Sequence, residues 1–384
     1  MFNFSFQNPT KIIFGKEQIA ALTNNIPPDS KVLLLYGAGS IKRNGVYQQV
    51  TAALSDFTWL EFSGIEPNPS FETLMQAADL VRREKIDFLL AVGGGSVIDG
   101  AKFIAAAAVF EGDAWQILAE GAKVTSAISL GCVLTLPATG TESNGNSVVT
   151  RYETQQKLAF SSPLVYPKFA ILDPTVTFSL PVKQVANGVV DAFIHVIEQY
   201  LTYPVNSPVQ DRFAEGLLQT LIEQGPLALS QPDDYDVRAN IMWAATMALN
   251  GLIGQGVPQD WSTHMIGHEL TACYGLDHAQ TLAIVLPALL QQQRRQKREK
   301  LLQYGRRVWQ LQGTNEEHII DQAIANTKAF FQQMGVPTQL ADYDLSAAAI
   351  DTVVAKLVQH KMVKLGEHGD ITPDVAQQIL QQAM

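Results

Sequence analysis

The chain has 384 residues, of which 47% are hydrophobic and 17% are charged, and its formal net charge is -10. This length exceeds the size at which one hydrophobic core keeps growing, so two domains are expected, and the composition excludes a disordered chain. The negative charge gives no general attraction to nucleic acid or to anionic lipid, so neither is expected as a partner.

The sequence contains no apolar stretch that approaches about 18 residues, and its first residues lack the pattern of a signal peptide. It therefore predicts a cytoplasmic protein that does not enter a membrane. The two cysteines, Cys132 and Cys273, lack the C-x-x-C spacing of a zinc or redox pair and are predicted to be buried thiols.

From Lys11 to about Pro174, short apolar runs alternate with helix-like segments. Four runs are typical of strands buried on both faces: KVLLLYG, DFLLAVGGG, AISLGCVLTLPAT and KFAILDP. Between them, the segments FETLMQAADLVRREK and SVIDGAKFIAAAAVF have helical spacing. This alternation predicts an α/β domain with a parallel sheet over residues 1–177.

After about Thr177 the strand signals fade, and residues 178–384 are predicted to be all-helical. Five long segments have a period near 3.6 residues: VANGVVDAFIHVIEQYL, DRFAEGLLQTLIEQ, DVRANIMWAATMAL, WSTHMIGHELTACYG and ANTKAFFQQMG. The basic run QQQRRQKREKLLQYGRRVW is predicted to form a solvated helix face without a function of its own.

Three glycines, Gly93, Gly94 and Gly95, lie between a strand-like run and a helix-like segment that begins near Ser96. A backbone without Cβ atoms can approach an oxygen-rich ligand closely, and a helix start offers unpaired N–H groups, so a phosphate fits. The spacing matches neither G-x-G-x-x-G nor the Walker A motif. The alternative is a tight turn in which Asp99 interacts with the helix dipole.

A second glycine turn, YGAGSIKRNG, follows the run KVLLLY and is expected to face the same crevice. In dinucleotide sites an acid at this place pairs with the ribose of NAD, whereas small and basic residues leave space for a 2′-phosphate. The turn contains no acid and has Lys42 and Arg43. It is either a cofactor-binding turn or a plain glycine turn with solvated cations.

The helical half has two clusters of polar residues at helical spacing. Asp191, His195 and Glu198 share one face of an apolar helix, and His264 and His268 are four residues apart, with His278 nearby. One carboxylate with three imidazoles suits Zn²⁺ or Fe²⁺, and this chemistry permits any three of the four histidines. The alternative is a set of histidines packed in the core.

Taken together, four patterns resemble the iron-containing (group III) alcohol dehydrogenases. They are GGGS-x-x-D-x-x-K at Gly93 to Lys102, ATGTES at Ala138 to Ser143, Asp191-x-x-x-His195, and His264-x-x-x-His268 with His278. The stretches YGAGS, GIEPNP, LTLPATG, NGVVDAF, GVPQDW and HELTACYGLDHAQTLAIVLP are similar to the branch of NADPH-dependent aldehyde reductases and butanol dehydrogenases. The resemblance covers essentially the whole chain.

The resemblance implies a dehydroquinate synthase-like fold, with a Rossmann-like dinucleotide-binding domain over residues 1–177 and a metal- and substrate-binding helical domain over 178–384. It implies that Asp191, His195, His264 and His278 bind one divalent metal, Zn or Fe. It makes His268 a candidate proton relay and Asp99 a second catalytic candidate. The implied cofactor contacts are Gly37, Ala38, Ser40, Asn68, Gly93, Gly94, Gly95, Ser96, Asp99, Thr135, Thr139, Asn144 and Lys157.

The implied reaction is hydride transfer between NADP(H) and a short- to medium-chain aldehyde or primary alcohol, with the metal as Lewis acid on the substrate oxygen. Many members of the family carry an aspartate near position 38 or 39 that favours NAD, and its absence points to NADP. The family's G-[ST]-[GE]-S-E neighbourhood is replaced here by Gly140-Thr141-Glu142-Ser143-Asn144, so the contacts assigned there rest on a departure from the pattern.

A homodimer is also expected from the resemblance, with the apolar start FNFSFQNPTKIIF as the segment that could pair along a sheet edge. Three alternatives stay open. The first is a polyol (glycerol-type) dehydrogenase, or a synthase that uses nicotinamide transiently, on the same fold. The second is a phosphate-handling NTPase or kinase, and the third is a non-catalytic metal-binding protein.

Overall fold

The computed structural model describes all 384 residues, which form two compact units. The first unit comprises residues 7–181 and 232–246, and the second comprises residues 1–6, 182–231 and 247–384. The predicted fold class is confirmed, because the first unit is built on a parallel sheet and the second is helical. The assignment of cofactor binding to residues 1–177 and of metal binding to residues 178–384 stays a prediction.

The first unit contains eight strands, which are β1 Lys11–Phe14, β2 Lys31–Tyr36, β3 Thr58–Phe62, β4 Phe88–Gly93, β5 Ser129–Leu134, β6 Asn146–Arg151, β7 Gln156–Ser161 and β8 Phe169–Leu172. Six of them form a parallel sheet in the order β1-β8-β5-β4-β2-β3, and β6 and β7 form a separate antiparallel hairpin. The four predicted strands, β2, β4, β5 and β8, are confirmed. The edge strand β3 and the hairpin were not predicted, because partly exposed strands lack a continuous apolar run. β1 ends the segment that is expected to pair along a sheet edge between two chains, and it pairs with β8 of its own chain.

The continuous apolar runs of the inner strands are explained by a core on each face of the sheet. In β2, Leu33 and Leu35 belong to one buried cluster, and Val32 and Leu34 belong to the other. Because successive side chains of a strand point to opposite faces, a strand between two cores needs an apolar residue at every position.

The order of the strands reverses between β2 and β4. From β2 the chain moves outward to β3, then returns to the other side of β2 as β4, and continues through β5 to β8. Tyr36 at the end of β2 is paired with Val92 near the end of β4, so both carboxyl ends lie at one edge. Parallel α/β sheets bind ligands at such a switch point, which is where both glycine turns lie.

The helices of the first unit are α1 Val46–Ala53, α2 Phe71–Glu84, α3 Gly95–Ala107, α4 Gln116–Ala119 and most of α7 Tyr235–Leu249. Those of the second unit are α5 Val182–Tyr200, α6 Pro208–Ser230, α8 Ser262–Tyr274, α9 His278–Gln292, α10 Arg298–Arg307, α11 Glu316–Gln333, α12 Ala347–Gln359 and α13 Pro373–Gln382. None of these helices combines the length and apolar character needed to cross a bilayer.

The prediction of a solvated face for the basic run is wrong for two of its lysines. Lys297 is only 3% exposed, and its ammonium lies 2.8 Å from Asp260 and 2.7 Å from Glu367. Lys300 is buried beside Asp211, with 2.6 Å between Nζ and Oδ1. Buried ammonium groups require such carboxylates, and these partners are distant in the sequence.

The prediction for the cysteines is confirmed in part. Cys132 is buried in the sheet, whereas Cys273 is partly exposed at the end of α8. Both are free thiols.

Candidate functional site

Three helices of the second unit bring one carboxylate and three imidazoles together. Asp191 and His195 lie one turn apart on α5, a helix that is buried along nearly its whole length. His264 lies in the first turn of α8, and His278 is the first residue of α9. The four-residue spacing on α5 places Asp191 and His195 on the same face, as predicted.

The Oδ1 atom of Asp191 lies at the centre of this cluster. It is 3.7 Å from Nδ1 of His195, 4.0 Å from Nε2 of His264 and 3.8 Å from Nε2 of His278. These distances are too long for hydrogen bonds, and the buried Oδ1 atom accepts none. Tetrahedral nitrogen and oxygen ligands about 2.1 Å from a cation are about 3.4 Å from one another. The unsatisfied oxygen and the surrounding imidazoles therefore fit a divalent metal ion.

Three of these residues form the tightest part of the cluster. The ligand atoms of Asp191, His195 and His264 lie within 4.8 Å of one another, and all three residues are buried. The Nε2 atoms of His195 and His264 are 3.1 Å apart. The side chain of His278 is 23% exposed and therefore lies on the more accessible side of the cluster. The role of all four as metal ligands stays a prediction.

His268 lies beside this cluster. Its ring centroid is 6.1 Å from that of His264 and 5.3 Å from that of His278. Residue chemistry alone could not rank the four histidines, whereas the structure arranges His195, His264 and His278 around Asp191 with His268 next to them. The proton-relay role of His268 stays a prediction.

Glu198 contacts His264 directly, although the sequence suggested no role for it. Oε2 of Glu198 is hydrogen-bonded to Nδ1 of His264, and Oε1 accepts from the backbone N–H groups of Thr263 at 2.8 Å and His264 at 3.3 Å. Burial and the nearby Asp260 carboxylate raise the pKa of Glu198, while these donors and His195 favour its charged form. Its position three residues after His195 places Glu198 on the same helix face in the sequence, but its contact with His264 depends on a second helix.

His278 is positioned by the residue before it. Asp277 lies just before α9, and its Oδ2 atom contacts two residues of α5, at 2.8 Å from Nζ of Lys183 and 3.1 Å from Nδ2 of Asn187. Its backbone N–H donates to Oε1 of Gln280 at 3.1 Å. These contacts hold the start of α9 against the helix that carries Asp191 and His195.

In the first unit, the predicted cofactor contacts follow three neighbouring strands. Gly37 follows β2, Gly94 follows β4, and Thr135 follows β5. β2 pairs with β4 and β4 pairs with β5, so these positions lie side by side at the carboxyl edge of the sheet. This edge is where a dinucleotide binds in sheets of this type.

The structure gives the three glycines a packing role as well. A Cβ atom on Gly93 would lie 2.5 Å from Val97 Cγ2, and one on Gly95 would lie 2.7 Å from both Cγ2 and Oγ1 of Thr139. At Gly94 it would lie 3.0 Å from Leu136 Cβ. Packing in the turn itself therefore favours glycine most strongly at positions 93 and 95 and less strongly at position 94, besides any close approach of a ligand.

Three predicted contacts from separate segments are joined by hydrogen bonds. The backbone N–H of Asn68 donates to Oγ of Ser96 at 3.3 Å, and Nζ of Lys157 donates to Oδ1 of Asn68 at 2.9 Å. Asn68 has a φ of 55°, a left-handed conformation that asparagine tolerates better than most residues. These bonds bring Lys157 and Asn68 to the start of α3.

A buried lysine holds the loop that follows β5. Lys102 on α3 is fully buried, and its Nζ donates to Thr141 Oγ1 at 2.6 Å, Asn144 Oδ1 at 3.0 Å and the Asn146 carbonyl at 2.7 Å. Burial lowers the pKa of Lys102 to about 8, against the opposing effect of Asp99. Lys102 thus fixes Asn144, a predicted cofactor contact. From the sequence, Lys102 was only the last residue of the glycine motif and had no assigned role.

Asp99 on α3 is hydrogen-bonded to the same loop. Its carboxylate accepts from the Thr141 hydroxyl and, at 3.0 Å, from the backbone N–H of Val148. These bonds join α3 to the loop and to strand β6 and give Asp99 a structural function. Its catalytic role stays a prediction. Where the loop departs from the family pattern, Glu142 is buried and accepts from the Thr246 hydroxyl at 2.6 Å.

The second glycine turn has an acid beside it that the sequence analysis missed. Gly39 has a φ of 88°, which leads into a short 3₁₀ turn at Ser40. Nζ of Lys42 in this turn lies 3.4 Å from Glu61 on β3, and the Tyr47 hydroxyl donates to the same carboxylate at 2.8 Å. Because β3 is a separate strand, no local pattern in the turn reveals Glu61.

Comparisons with known proteins match both units of the chain. The family model described as "Iron-containing alcohol dehydrogenase" matches residues 9–174, and "Fe-containing alcohol dehydrogenase family, C-terminal" matches residues 185–384. The NADPH-dependent aldehyde reductase YqhD of Escherichia coli (strain K12) is 59% identical, with 100% of each chain covered.

Solved structures give the same result for the fold. A crystal structure of Escherichia coli K-12 YqhD matches with a TM-score of 0.99 at 58% identity and covers 100% of this chain and 99% of that one. The NADH-dependent butanol dehydrogenase A of Thermotoga maritima matches with a TM-score of 0.96 at 37% identity, again over 100% of this chain and 99% of that one.

The packing of the glycine turn is tested by Gly95→Ala. Its φ lies outside the left-handed region, so the main effect of the substitution is the contact of the new methyl group with Thr139. We expect the free energy of unfolding to fall by about 1–3 kcal/mol, as measured by urea denaturation. Thr139→Ala should restore part of this loss, because it removes both atoms that lie 2.7 Å away.

Gly216→Ala is the matched control for this experiment. Gly216 lies inside α6, and a Cβ atom there would meet nothing within 4 Å. Alanine should therefore stabilise that helix by roughly 0.5–1 kcal/mol. Equal effects at positions 95 and 216 would contradict the packing explanation.

Proposed function

The chain belongs to the iron-containing alcohol dehydrogenase family, and on that basis we propose that it is a metal-dependent NADP(H) aldehyde reductase and alcohol dehydrogenase. Its substrates would be short- to medium-chain aldehydes and primary alcohols. The observation that carries the proposal is the unsatisfied Asp191 oxygen surrounded by the imidazoles of His195, His264 and His278. A relative with 59% identity over the full chain bears the name of an NADPH-dependent aldehyde reductase.

When bound, the divalent cation supplies a Lewis acid for the substrate oxygen, and NADPH supplies the hydride. Asp191 contributes the single negative charge of the donor set, so a divalent cation held there would keep a net positive charge that would stabilise negative charge on the substrate oxygen. His268, beside the cluster, holds a proton and donates it to the substrate oxygen during aldehyde reduction. The backbone of Gly93 to Ser96 binds the cofactor pyrophosphate at the start of α3.

The bound metal is proposed to be either zinc or iron. Nitrogen and carboxylate donors suit both ions, and the family description names iron. A polyol dehydrogenase of the same fold is the alternative function, and a substrate screen distinguishes it from an aldehyde reductase.

The cofactor is proposed to be NADP(H), with Lys42 as the residue that contacts its 2′-phosphate. Lys42 follows the glycine turn, is exposed, and has Glu61 as its carboxylate partner. An acidic residue that binds the ribose of NAD is missing from the turn itself. The Thermotoga relative is named as NADH-dependent, so membership of the family does not by itself determine the cofactor.

The assay of this function follows NADPH absorbance with short- and medium-chain aldehydes. We expect aldehyde-dependent oxidation that is lost after chelation and restored by Zn²⁺ or Fe²⁺. His264→Ala should lower turnover by at least 100-fold while NADPH affinity, measured by fluorescence titration, stays within about twofold. Absence of metal-sensitive turnover with every aldehyde would refute the proposed reaction.

Cofactor selection is tested by Lys42→Met. Removal of the ammonium should raise the KM for NADPH by roughly tenfold and leave the KM for NADH nearly unchanged, since only NADPH carries the 2′-phosphate. Arg43→Met is the matched control, because Arg43 is the adjacent exposed cation. An equal loss of NADPH and NADH binding in Lys42→Met would assign Lys42 a structural role instead.

We further propose that the enzyme is a homodimer. Phe2, Phe4 and Phe6 are 50%, 52% and 40% exposed, and β1 has one unpaired edge at the end of the sheet. Burial of these rings against a second chain would remove a large apolar area from water. Light scattering should give about twice the mass of the chain, and replacing all three rings by serine should shift the protein toward a monomer. A monomeric wild-type protein would refute this proposal.

Within the cell, we propose that the enzyme works in the cytoplasm, where its two free cysteines stay reduced. Cell fractionation with the aldehyde-reductase assay would test this location. Activity confined to another compartment would contradict it.

A further inference from the structure

We propose that Glu198 is a positioning residue that fixes the tautomer of His264 and thereby sets the affinity of the centre for its cation. This inference rests on the proposed metal centre. Glu198 is buried and is not one of the predicted metal ligands. Its proposed function is to prepare the ligand His264 for the metal.

The first step concerns the two nitrogens of His264. Nε2 faces the cluster, 4.0 Å from Asp191 Oδ1 and 3.1 Å from His195 Nε2, whereas Nδ1 contacts Glu198 Oε2. The two backbone N–H groups that donate to Oε1 favour the ionised form of Glu198. In that form Oε2 can only accept at this contact, so Nδ1 carries the proton. The lone pair of Nε2 is then directed into the cluster, which is the state that a metal ligand requires.

The second step concerns the other oxygen of Glu198. Oε1 accepts from the backbone N–H groups of Thr263 and His264 in the first turn of α8. Negative charge at a helix N-terminus is favourable, because the first N–H groups of a helix have no partner within it. One carboxylate on α5 therefore fixes both the backbone and the ring of a ligand on α8.

The third step is that an amide cannot replace this carboxylate. Three N–H donors converge on the two oxygens of Glu198, namely Nδ1 of His264 and the two backbone groups. Glutamine has one oxygen and one NH₂ group, so at least one donor would face another donor. If that donor is Nδ1, its proton moves to Nε2, which then cannot bind a metal.

The chain contains a matched control for this interaction. Glu269, also on α8, is paired with His360 through Oε1 and Nδ1 at 2.6 Å, and both side chains are buried, at 3% and 4% exposure. His360 belongs to neither the predicted ligands nor the Asp191 cluster. Glu269→Gln therefore removes a comparable buried charge without altering a ligand.

The test measures metal affinity in the full-length enzyme. Apoprotein of the wild type, Glu198→Gln, Glu198→Asp and Glu269→Gln is titrated with Co²⁺, and the visible absorption band and the metal content are recorded. We expect Glu198→Gln to weaken Co²⁺ binding by roughly 10- to 100-fold, Glu198→Asp to retain an intermediate affinity, and Glu269→Gln to bind like the wild type. NADPH affinity should stay unchanged in all four proteins.

Two results would overturn the inference. One is wild-type Co²⁺ affinity in a folded Glu198→Gln enzyme, and the other is an equal loss in Glu269→Gln, which would indicate general destabilisation. If Glu198→Gln does not fold, ¹⁵N-histidine NMR of the wild-type holoenzyme provides the second measurement. It should show a protonated Nδ1 on His264, and a protonated Nε2 would refute the role of Glu198.

Failure of the proposed function is distinguishable from failure of this inference. A wild-type protein that binds no divalent cation refutes the metal centre itself, and the positioning role of Glu198 is refuted with it. A wild type that binds the cation but reduces no aldehyde refutes only the proposed reaction, and the comparison of Glu198→Gln with Glu269→Gln still decides the inference.

Discussion

The structure of the second unit depends on one buried carboxylate, that of Asp191, on the largely apolar helix α5. An ionised carboxylate without partners is among the most unfavourable groups to place in a protein interior. Its Oδ1 atom accepts no hydrogen bond but lies about equally far from nitrogens of three histidines. A divalent cation bound among these groups would satisfy the oxygen and the nitrogens together, and would thereby offset the cost of burying Asp191. The starts of α8 and α9 are both held against α5 by carboxylate contacts, from Glu198 and Asp277.

In the first unit the buried charged group is an ammonium, that of Lys102, which also needs polar partners. Lys102 is buried beneath the loop after β5, and its three acceptors are two side chains of that loop and the carbonyl of Asn146 at the start of β6. The loop therefore has a fixed conformation before any ligand arrives, which lowers the entropy lost on binding. The glycines of the adjacent turn also restrict the backbone, because close packing against Val97 and Thr139 leaves little room for another arrangement. In both units, buried polar contacts thus fix the backbone next to the predicted binding residues.

The features that the sequence predicted are those with a local physical cause. Strands such as β2 were evident because a strand between two cores is apolar at every position, and Asp191 and His195 were evident because helical periodicity places them together. The features that it did not reveal depend on residues far apart in the chain. The exposed edge strand β3 brings Glu61 to Lys42, and Asp260 and Glu367 neutralise the buried Lys297. Ranking the four histidines also required three helices to be placed, which no spacing within one helix can do.

The two buried glutamate–histidine pairs show why a local interaction does not define a function. In both pairs, Glu198–His264 and Glu269–His360, a carboxylate oxygen of the glutamate contacts Nδ1 of the imidazole, and the side chains are similarly buried. The difference lies at the other ring nitrogen. Nε2 of His264 faces Asp191 and His195, whereas Nε2 of His360 has no hydrogen-bond partner. A fixed tautomer serves metal binding only where further donors converge on the exposed lone pair, so the position of a pair in the fold decides what its chemistry does.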